Sequence, residues 1–421
     1  MKIAIIGAGS TYTPELIEGI INRADSLDIE DIFLYDINDR KLGIVGNFSK
    51  RMLASSGVSC NIVLSMDLDE TLKDADFVLC QIRVGQMQAR IFDEKIPLKH
   101  GLLGQETVGM GGLFKALRTI PVMLDIAHKM EKLCPNATMV NFTNPAGIVT
   151  QAINDHSGIR IYGVCNNPFN MKKSITERMN LNNPTFDYIG LNHLSFITGI
   201  YENGKNYISE ALAKGINSEN MKNIPTGEFD AELISSIEAI PSSYLRYVYK
   251  CKESLELAKK AEKTRGEKAL EIEENLMVLY SDENLVQKPE MLSQRGGANY
   301  SLVAIELVDA IYNDKKEEHV VNLPNSEAFK FLDNSDVVET TAIIGKNTAE
   351  IQPINHINLH ITGLMQIFKT YENFVVKAAV NKSKEAAICA MLSNPTIFDY
   401  DAGLACFEEL FEVNKQYISL G

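Results

Sequence analysis

The chain has 421 residues, 45% of them hydrophobic, and its 55 acidic against 41 basic side chains give a formal net charge of −14. That length exceeds the roughly 250–300 residues at which a single core stops growing, so two packed domains are expected. The acidic balance lacks the clustered Lys and Arg that a nucleic-acid backbone requires, while a local arginine pocket for a small phosphorylated metabolite stays compatible with it.

In chain order, residues 2–6 form a buried-strand run leading into Gly7-Ala8-Gly9-Ser10, and a helical pattern follows from Pro14 to about Arg23. Its apolar start is too short for a signal peptide or a membrane span, and no membrane partner is expected. Pro14 suits a first helical turn, where its missing N–H costs nothing. Residues 31–35 predict a strand ending in Asp36, and residues 77–82 another running into Arg83-Val84-Gly85. Residues 139–142 and 160–164 read as further strands, separated by helix-like stretches such as 117–133. This alternation predicts an α/β fold whose N-terminal part is a Rossmann-like, doubly wound parallel sheet. Beyond about Asn170 come short strands at 186–189 and 195–201, then helices at 253–279, 298–312, 364–381 and 402–417. A period near 3.6, with Glu and Lys outward, makes this second part an α+β, helix-rich domain. Cys60, Cys80, Cys134, Cys165, Cys251, Cys389 and Cys406 are scattered without a CxxC pair, as expected for a reducing cytoplasm.

Gly7-Ala8-Gly9-Ser10-Thr11-Tyr12 occupies the place of a Gly-x-Gly-x-x-Gly fingerprint, with Tyr12 where the third glycine would stand. Strand, glycine turn and helix in that order put a pyrophosphate on a helix N-terminus, and Gly7, Gly9, Ser10 and Thr11 are the candidate cofactor contacts. Asp36 is the expected ribose ligand and favours NAD over NADP, whose 2′-phosphate it would repel. The competing reading is a tight turn without ligand, with Asp36 as a cap.

Arg83 and Arg90 flank a glycine turn at the carboxyl edge of the sheet, where guanidinium groups suit a phosphate or carboxylate. Surface salt bridging is the plainer role for Arg90. The glycine-dense run from Gly101 to Gly112 suits a backbone that approaches a ligand, or a floppy loop. Asn144, in Asn-Phe-Thr-Asn-Pro, either fixes a nicotinamide or sugar hydroxyl or caps the turn before Pro145. Cys165 and His193 taken singly read as a buried thiol and a satisfied polar histidine. Two such ligands are too few for structural zinc but would suit a catalytic divalent ion completed by substrate oxygens.

The blocks IAIIGAGSTYTPEL (3–16), RVGQMQARIFDEKIPLKHGLLGQETVGMGG (83–112), FTNPAG (142–147), GVCNNP (163–168), GLNHLSF (190–196), IPSSYLRYVY (240–249) and QRGGANYS (294–301) together resemble glycoside hydrolase family 4, in the family's order over most of the chain. The resemblance implies a hydrolase that uses NAD without net oxidation, outside the usual two-carboxylate scheme. In that family hydride leaves the sugar C3, the resulting ketone acidifies the C2 proton, a base removes it, and the C1 substituent is eliminated. Water then adds and the hydride returns.

The resemblance further implies that Cys165 and His193 are the ligands of a divalent ion, Mn²⁺ foremost, whose charge stabilises the developing enolate. It implies Tyr244 as the base, a neighbouring cation favouring its phenolate, with Tyr247 and Tyr249 as adjacent alternatives. Arg83, Asn144, Asn166 and Arg295 become candidate substrate contacts. Asn166 follows the cysteine where members acting on α-linked phosphoglucosides carry aspartate, so a 6-phospho-β-glucosidase acting on sugars such as cellobiose 6-phosphate is expected, with no residue assigned as general acid. Residues 1–170 are then the NAD-binding domain and 171–421 the substrate, metal and oligomerisation domain of a cytoplasmic homodimer or homotetramer.

The alternatives are a 6-phospho-α-glucosidase of the same family, a 2-hydroxyacid dehydrogenase of the lactate and malate type, and an NAD-sensing protein without catalysis. The dehydrogenase carries its histidine in Gly-Glu-His-Gly rather than Gly-Leu-Asn-His. The sensor would leave Cys165, His193 and Tyr244 unexplained.

Overall fold

The computed structural model describes residues 1–217, 228–295 and 300–421. Residues 296–299 lie outside it, including Gly296 and Gly297 beside Arg295 and the first residues of the helix expected over 298–312.

Six parallel strands form the N-terminal sheet: β1 (Lys2–Ile6), β2 (Asp31–Tyr35), β3 (Asn61–Ser65), β4 (Phe77–Cys80), β5 (Thr138–Asn141) and β6 (Arg160–Gly163). Their order, β6-β5-β4-β1-β2-β3, is that of a doubly wound Rossmann sheet. Side chains along β1, β4, β5 and β6 alternate between two cores. Ala4, Ile6, Val78, Cys80, Met139 and Ile161 join one, and Ile3, Ile5, Phe77, Leu79, Val140 and Tyr162 the other. Burial on both faces is why these strands read as unbroken apolar runs rather than as a polar–apolar alternation.

Past residue 170 the chain first builds a second antiparallel sheet from β7 (Thr185–Leu191), β8 (Leu194–Glu202), β9 (Lys205–Asn206) and β10 (Ile240–Pro241). It then returns to the first sheet with β11 (Glu317–Pro324), β12 (Val337–Ile344) and β13 (Ala349–Ile351), all antiparallel, β11 pairing with β6 through Asn322 and Gly163. The two halves therefore share one nine-stranded sheet and both cores.

Several helices differ from their expected bounds. The stretch 253–279 is two helices, Cys251–Lys260 and Arg265–Tyr280. The break lies at Thr264, whose hydroxyl accepts the Glu267 N–H while the Glu267 carboxylate accepts the Thr264 N–H, a reciprocal cap that starts a new helix. The stretch 117–133 is the second half of a longer helix, Gly109–Leu133. The helices expected over 364–381 and 402–417 run Leu359–Asn381 and Tyr400–Asn414, with a further helix, Lys384–Ser393, between them.

Candidate active site

Five strand ends line the carboxyl edge of the parallel sheet, and each delivers a residue singled out above: Gly7 after β1, Asp36 after β2, Arg83 after β4, Asn144 after β5 and Cys165 after β6. The order reverses between β1 and β4, the crevice where ligands of such sheets bind.

The glycine turn is held by β2. The N–H groups of Gly7 and Ala8 both donate to the Tyr35 carbonyl, at 2.9 and 2.8 Å. One Asp36 oxygen accepts the Gly9 N–H at 2.8 Å and the other the Asn38 N–H at 2.9 Å. A Cβ on Gly9 would sit 2.8 Å from Asp36 Oδ2, so only glycine allows this approach. Asp36 thus caps the turn and still has acceptor capacity for a ribose hydroxyl. Thr13 donates to the Ala8 carbonyl at 2.8 Å, and the buried Thr11 hydroxyl has no hydrogen-bond partner. Tyr12, in the third-glycine position, lies under the Arg295 guanidinium, 4.6 Å from ring to charge. Arg295 pairs with Glu273 through Nη2 at 2.8 Å, while its buried Nη1 has no hydrogen-bond partner among the described residues.

Arg83 and Arg90 converge on Glu106, at 2.5 and 3.1 Å, where Lys115 joins them at 2.8 Å. Burial by itself raises the Glu106 carboxyl, but the charges of Arg83, Arg90 and Lys115 outweigh it and hold the group well below the usual carboxylate range. Glu94 joins the cluster through Arg90 Nε at 2.9 Å, so three basic side chains meet two carboxylates beside the crevice, and burial lowers Lys115 to about 7. Arg90 is therefore part of a buried network and not a surface salt bridge. Within the glycine-dense run that carries Glu106, two glycines are required by protein neighbours: a Cβ on Gly104 would lie 1.9 Å from the Glu94 carbonyl, and one on Gly111 2.1 Å from that of Gln105.

Asn144 is half-buried and its side-chain oxygen accepts the N–H of Ala146, the first residue of the helix Ala146–His156, at 3.3 Å. Asn166, 4% exposed, is the first residue of the helix Asn166–Met179, and Cys165 is that helix's cap. The Cys165 sulfur accepts the Asn167 N–H at 3.5 Å, a helix N-terminus that favours a thiolate.

His193 arrives from the other sheet, in the two-residue turn between β7 and β8, with φ at +67°. Its Nε2 lies 3.9 Å from Cys165 Sγ. Tyr244 comes from the turn after β10, which Ser242 pins to β8 by donating its N–H to the Ser195 carbonyl at 2.8 Å. The Tyr244 ring stacks on His193 with centroids 3.7 Å apart and planes 7° from parallel. Tyr247 lies behind it, 6.2 Å between centroids, and Tyr249 instead donates towards the exposed His360. Of the three tyrosines in that segment, Tyr244 is the one brought against His193.

Burial, and secondarily the Lys115 charge, lowers His193 to about 3, so its ring is neutral and offers a lone pair. Burial, with the Glu339 carboxylate adding, pushes the Cys165 thiol up to about 12. A cation between the two side chains reverses that second effect by stabilising the thiolate. Metal bonds of about 2.0–2.3 Å to N and S let one ion span a 3.9 Å gap, so the donor pair fits a divalent ion. Among the described residues no group of three His, Cys, Asp or Glu side chains gathers to hold a metal, which leaves the remaining positions to ligand oxygens.

Glu339 belongs to this site and carries no motif to announce it. It is 1% exposed on β12, and burial pushes its carboxyl up to about 7 against hydrogen bonds from Asn192, Tyr188 and Asn322. Glu106 and Lys115 were equally silent, although two arginines beside a loop with a single glutamate are a legible charge pattern. Among the described residues no helix is long and apolar enough to cross a membrane.

Residues 2–181 match the model of the family 4 glycosyl hydrolases, and residues 188–397 that of the same family's C-terminal domain. A 6-phospho-beta-glucosidase of Escherichia coli is 41% identical over 99% of this chain and 96% of its own length. A probable 6-phospho-beta-glucosidase of Bacillus subtilis is 40% identical over 99% and 97%. The solved structure of the 6-phospho-beta glucosidase from Thermotoga maritima with manganese, NAD+ and glucose-6-phosphate has a TM-score of 0.91 at 30% identity, covering 100% of both chains.

Proposed function

The chain belongs to glycosyl hydrolase family 4, and from that premise we propose that it hydrolyses 6-phospho-β-glucosides with NAD and a divalent ion, Mn²⁺ foremost. The observation that carries this reading is the meeting of Cys165, His193 and Tyr244 beside the carboxyl edge of a dinucleotide-type sheet. When bound, NAD supplies a reversible hydride acceptor and the ion an electrophile for sugar oxygens. The chain's own residues do the rest. Gly7, Gly9, Ser10 and Thr11 receive the pyrophosphate, and Asp36 the ribose. Cys165 and His193 hold the ion; Arg83, Asn144, Asn166 and Arg295 orient the phosphorylated sugar. Tyr244 takes the C2 proton once C3 is a ketone, and the C1–O bond breaks with its electrons going to the leaving oxygen, which takes a proton; water then adds at C1 as C2 regains a proton, and return of the hydride to C3 leaves no net oxidation.

The preference for the β over the α linkage rests on Asn166, whose amide has no acidic proton to give a leaving group. The seven free cysteines support a cytoplasmic location. Leu392, Phe398 and Tyr400, each more than half exposed near the C-terminal helices, support a homodimer or homotetramer, which sedimentation tests.

Hydrolysis of p-nitrophenyl 6-phospho-β-glucoside under reducing conditions, with and without NAD+ and Mn²⁺, tests the reading. Turnover is expected only with both, and equal rates without either would overturn it. Faster turnover of the α-linked phosphoglucoside would overturn the inference from Asn166.

A further inference from the structure

We infer that Glu339 is a positioning residue that sets the separation of Cys165 and His193, an inference that rests on the ion-binding reading above. Its carboxylate sits where three elements converge. One oxygen accepts from Asn192 Nδ2 at 2.9 Å and Asn322 Nδ2 at 3.2 Å, and the other from the Tyr188 hydroxyl at 3.0 Å. Each contact leads to a proposed ligand. Asn322 lies opposite Glu339 in the β11–β12 pair and opposite Gly163 in the β6–β11 pair, and its amide also donates to the Gly163 carbonyl at 3.1 Å. Gly163 stands two residues before Cys165.

On the other side, Asn192 immediately precedes His193, and its side-chain amide also hydrogen-bonds the Cys165 thiol. Tyr188 bonds Ser195 at 2.5 Å, so Glu339 grips both strands that flank the His193 turn. That turn needs a grip, because His193 holds a left-handed φ of +67°, which a non-glycine residue keeps only when its surroundings impose it.

The choice of residue points the same way. A neutral side chain could brace two strands without burying a charge, whereas Glu339 is 1% exposed and its three hydrogen-bond partners are uncharged. A carboxylate behind a ligand-bearing turn orients the ligands and adds negative potential where a cation binds. Its support is rigid: beside it, Thr340 donates from β12 to the Tyr188 carbonyl at 2.7 Å.

The test compares Glu339→Gln and Glu339→Leu with wild type by Mn²⁺ titration, by the thiolate-to-metal charge-transfer band of the Co²⁺-loaded protein, by NAD affinity and by melting of the metal-free chain. The expected result is a Mn²⁺ affinity reduced about 10–100-fold and a shifted or weakened band, with NAD affinity within about twofold of wild type. Should Glu339→Leu fail to fold, Asn192→Ala tests the same link, and it is expected to lose Mn²⁺ affinity without additivity to Glu339→Gln. Wild-type Mn²⁺ affinity and an unshifted band in Glu339→Gln would overturn the inference while leaving the ion site standing. A wild-type chain that binds no Mn²⁺, or a Cys165→Ser variant that binds it normally, would instead overturn the ion-binding reading, and this inference with it.

Discussion

The two ends of the crevice are built in opposite ways. At the nucleotide end the turn is fixed mostly through backbone: Gly7 and Ala8 donate to the Tyr35 carbonyl at the end of β2 and Gly9 to the Asp36 side chain, all within the first 40 residues or so. At the sugar end the contacts come from side chains, since Cys165, His193, Tyr244 and Glu339 stand on four separate elements drawn from both sheets. A backbone site is formed once the strand–turn–helix unit folds. A side-chain site depends on the sheets meeting in register and on buried groups that hold one another.

That difference dictates how each end should break. The largest effect belongs to the base. Tyr244→Phe keeps the ring stacked on His193 and removes the hydroxyl, so kcat is expected to fall about 10²–10⁴-fold, measured by steady-state kinetics, with NAD affinity unchanged. Next, Cys165→Ser removes the soft ligand, and calorimetric titration should find Mn²⁺ binding weakened by at least about 100-fold while NAD still binds. The nucleotide end should answer more mildly. Asp36→Ala leaves the Gly9 and Asn38 N–H groups without their acceptor, a cost of about 1–3 kcal/mol that should appear as weaker NAD binding with little change in Mn²⁺ affinity. Equal losses of both ligands in either variant would erase the distinction between the two ends.

The mildest effect, for a step of one pH unit, concerns the ion. His193, lowered to about 3, is neutral throughout the working range, while Cys165, raised to about 12 in the metal-free site, is a thiol. Ion binding must therefore displace one proton, from Cys165 alone. Mn²⁺ affinity is expected to rise about tenfold per pH unit between pH 6 and 8, and a steeper dependence would mean that His193 is protonated as well.

The same contrast explains what could be read from the amino-acid sequence. β1, the glycine turn and β2 were legible to the residue because their signals are local and follow one another along the chain. The helix break at Thr264 was equally legible in principle, as Thr-Arg-Gly-Glu is a capping box, but the charged amphipathic pattern ran through it without a phase change. β11 and β12 escaped because antiparallel strands added to a parallel sheet carry no local mark of their partner. Cys165 and His193 read as ordinary structural residues when taken from spacing alone, and only the family resemblance joined them to Tyr244. Glu339 and Glu106 stayed hidden, since a glutamate announces itself as surface until its neighbours are known. Within the run 101–112, Gly104 and Gly111 crowd the carbonyls of Glu94 and Gln105, neighbours that the sequence does not announce.

Removal of a sugar C2 proton by Tyr244, beside the Cys165–His193 pair, is the step on which the proposed reaction turns. The most direct measurement supplies p-nitrophenyl 6-phospho-β-glucoside deuterated at C2, with NAD+ and Mn²⁺, and reads the deuterium content of the released glucose 6-phosphate by mass spectrometry. Loss of deuterium to solvent at wild-type rates, and loss of turnover in Tyr244→Phe, is the predicted result. Full retention of deuterium in a product formed at normal rate would contradict it.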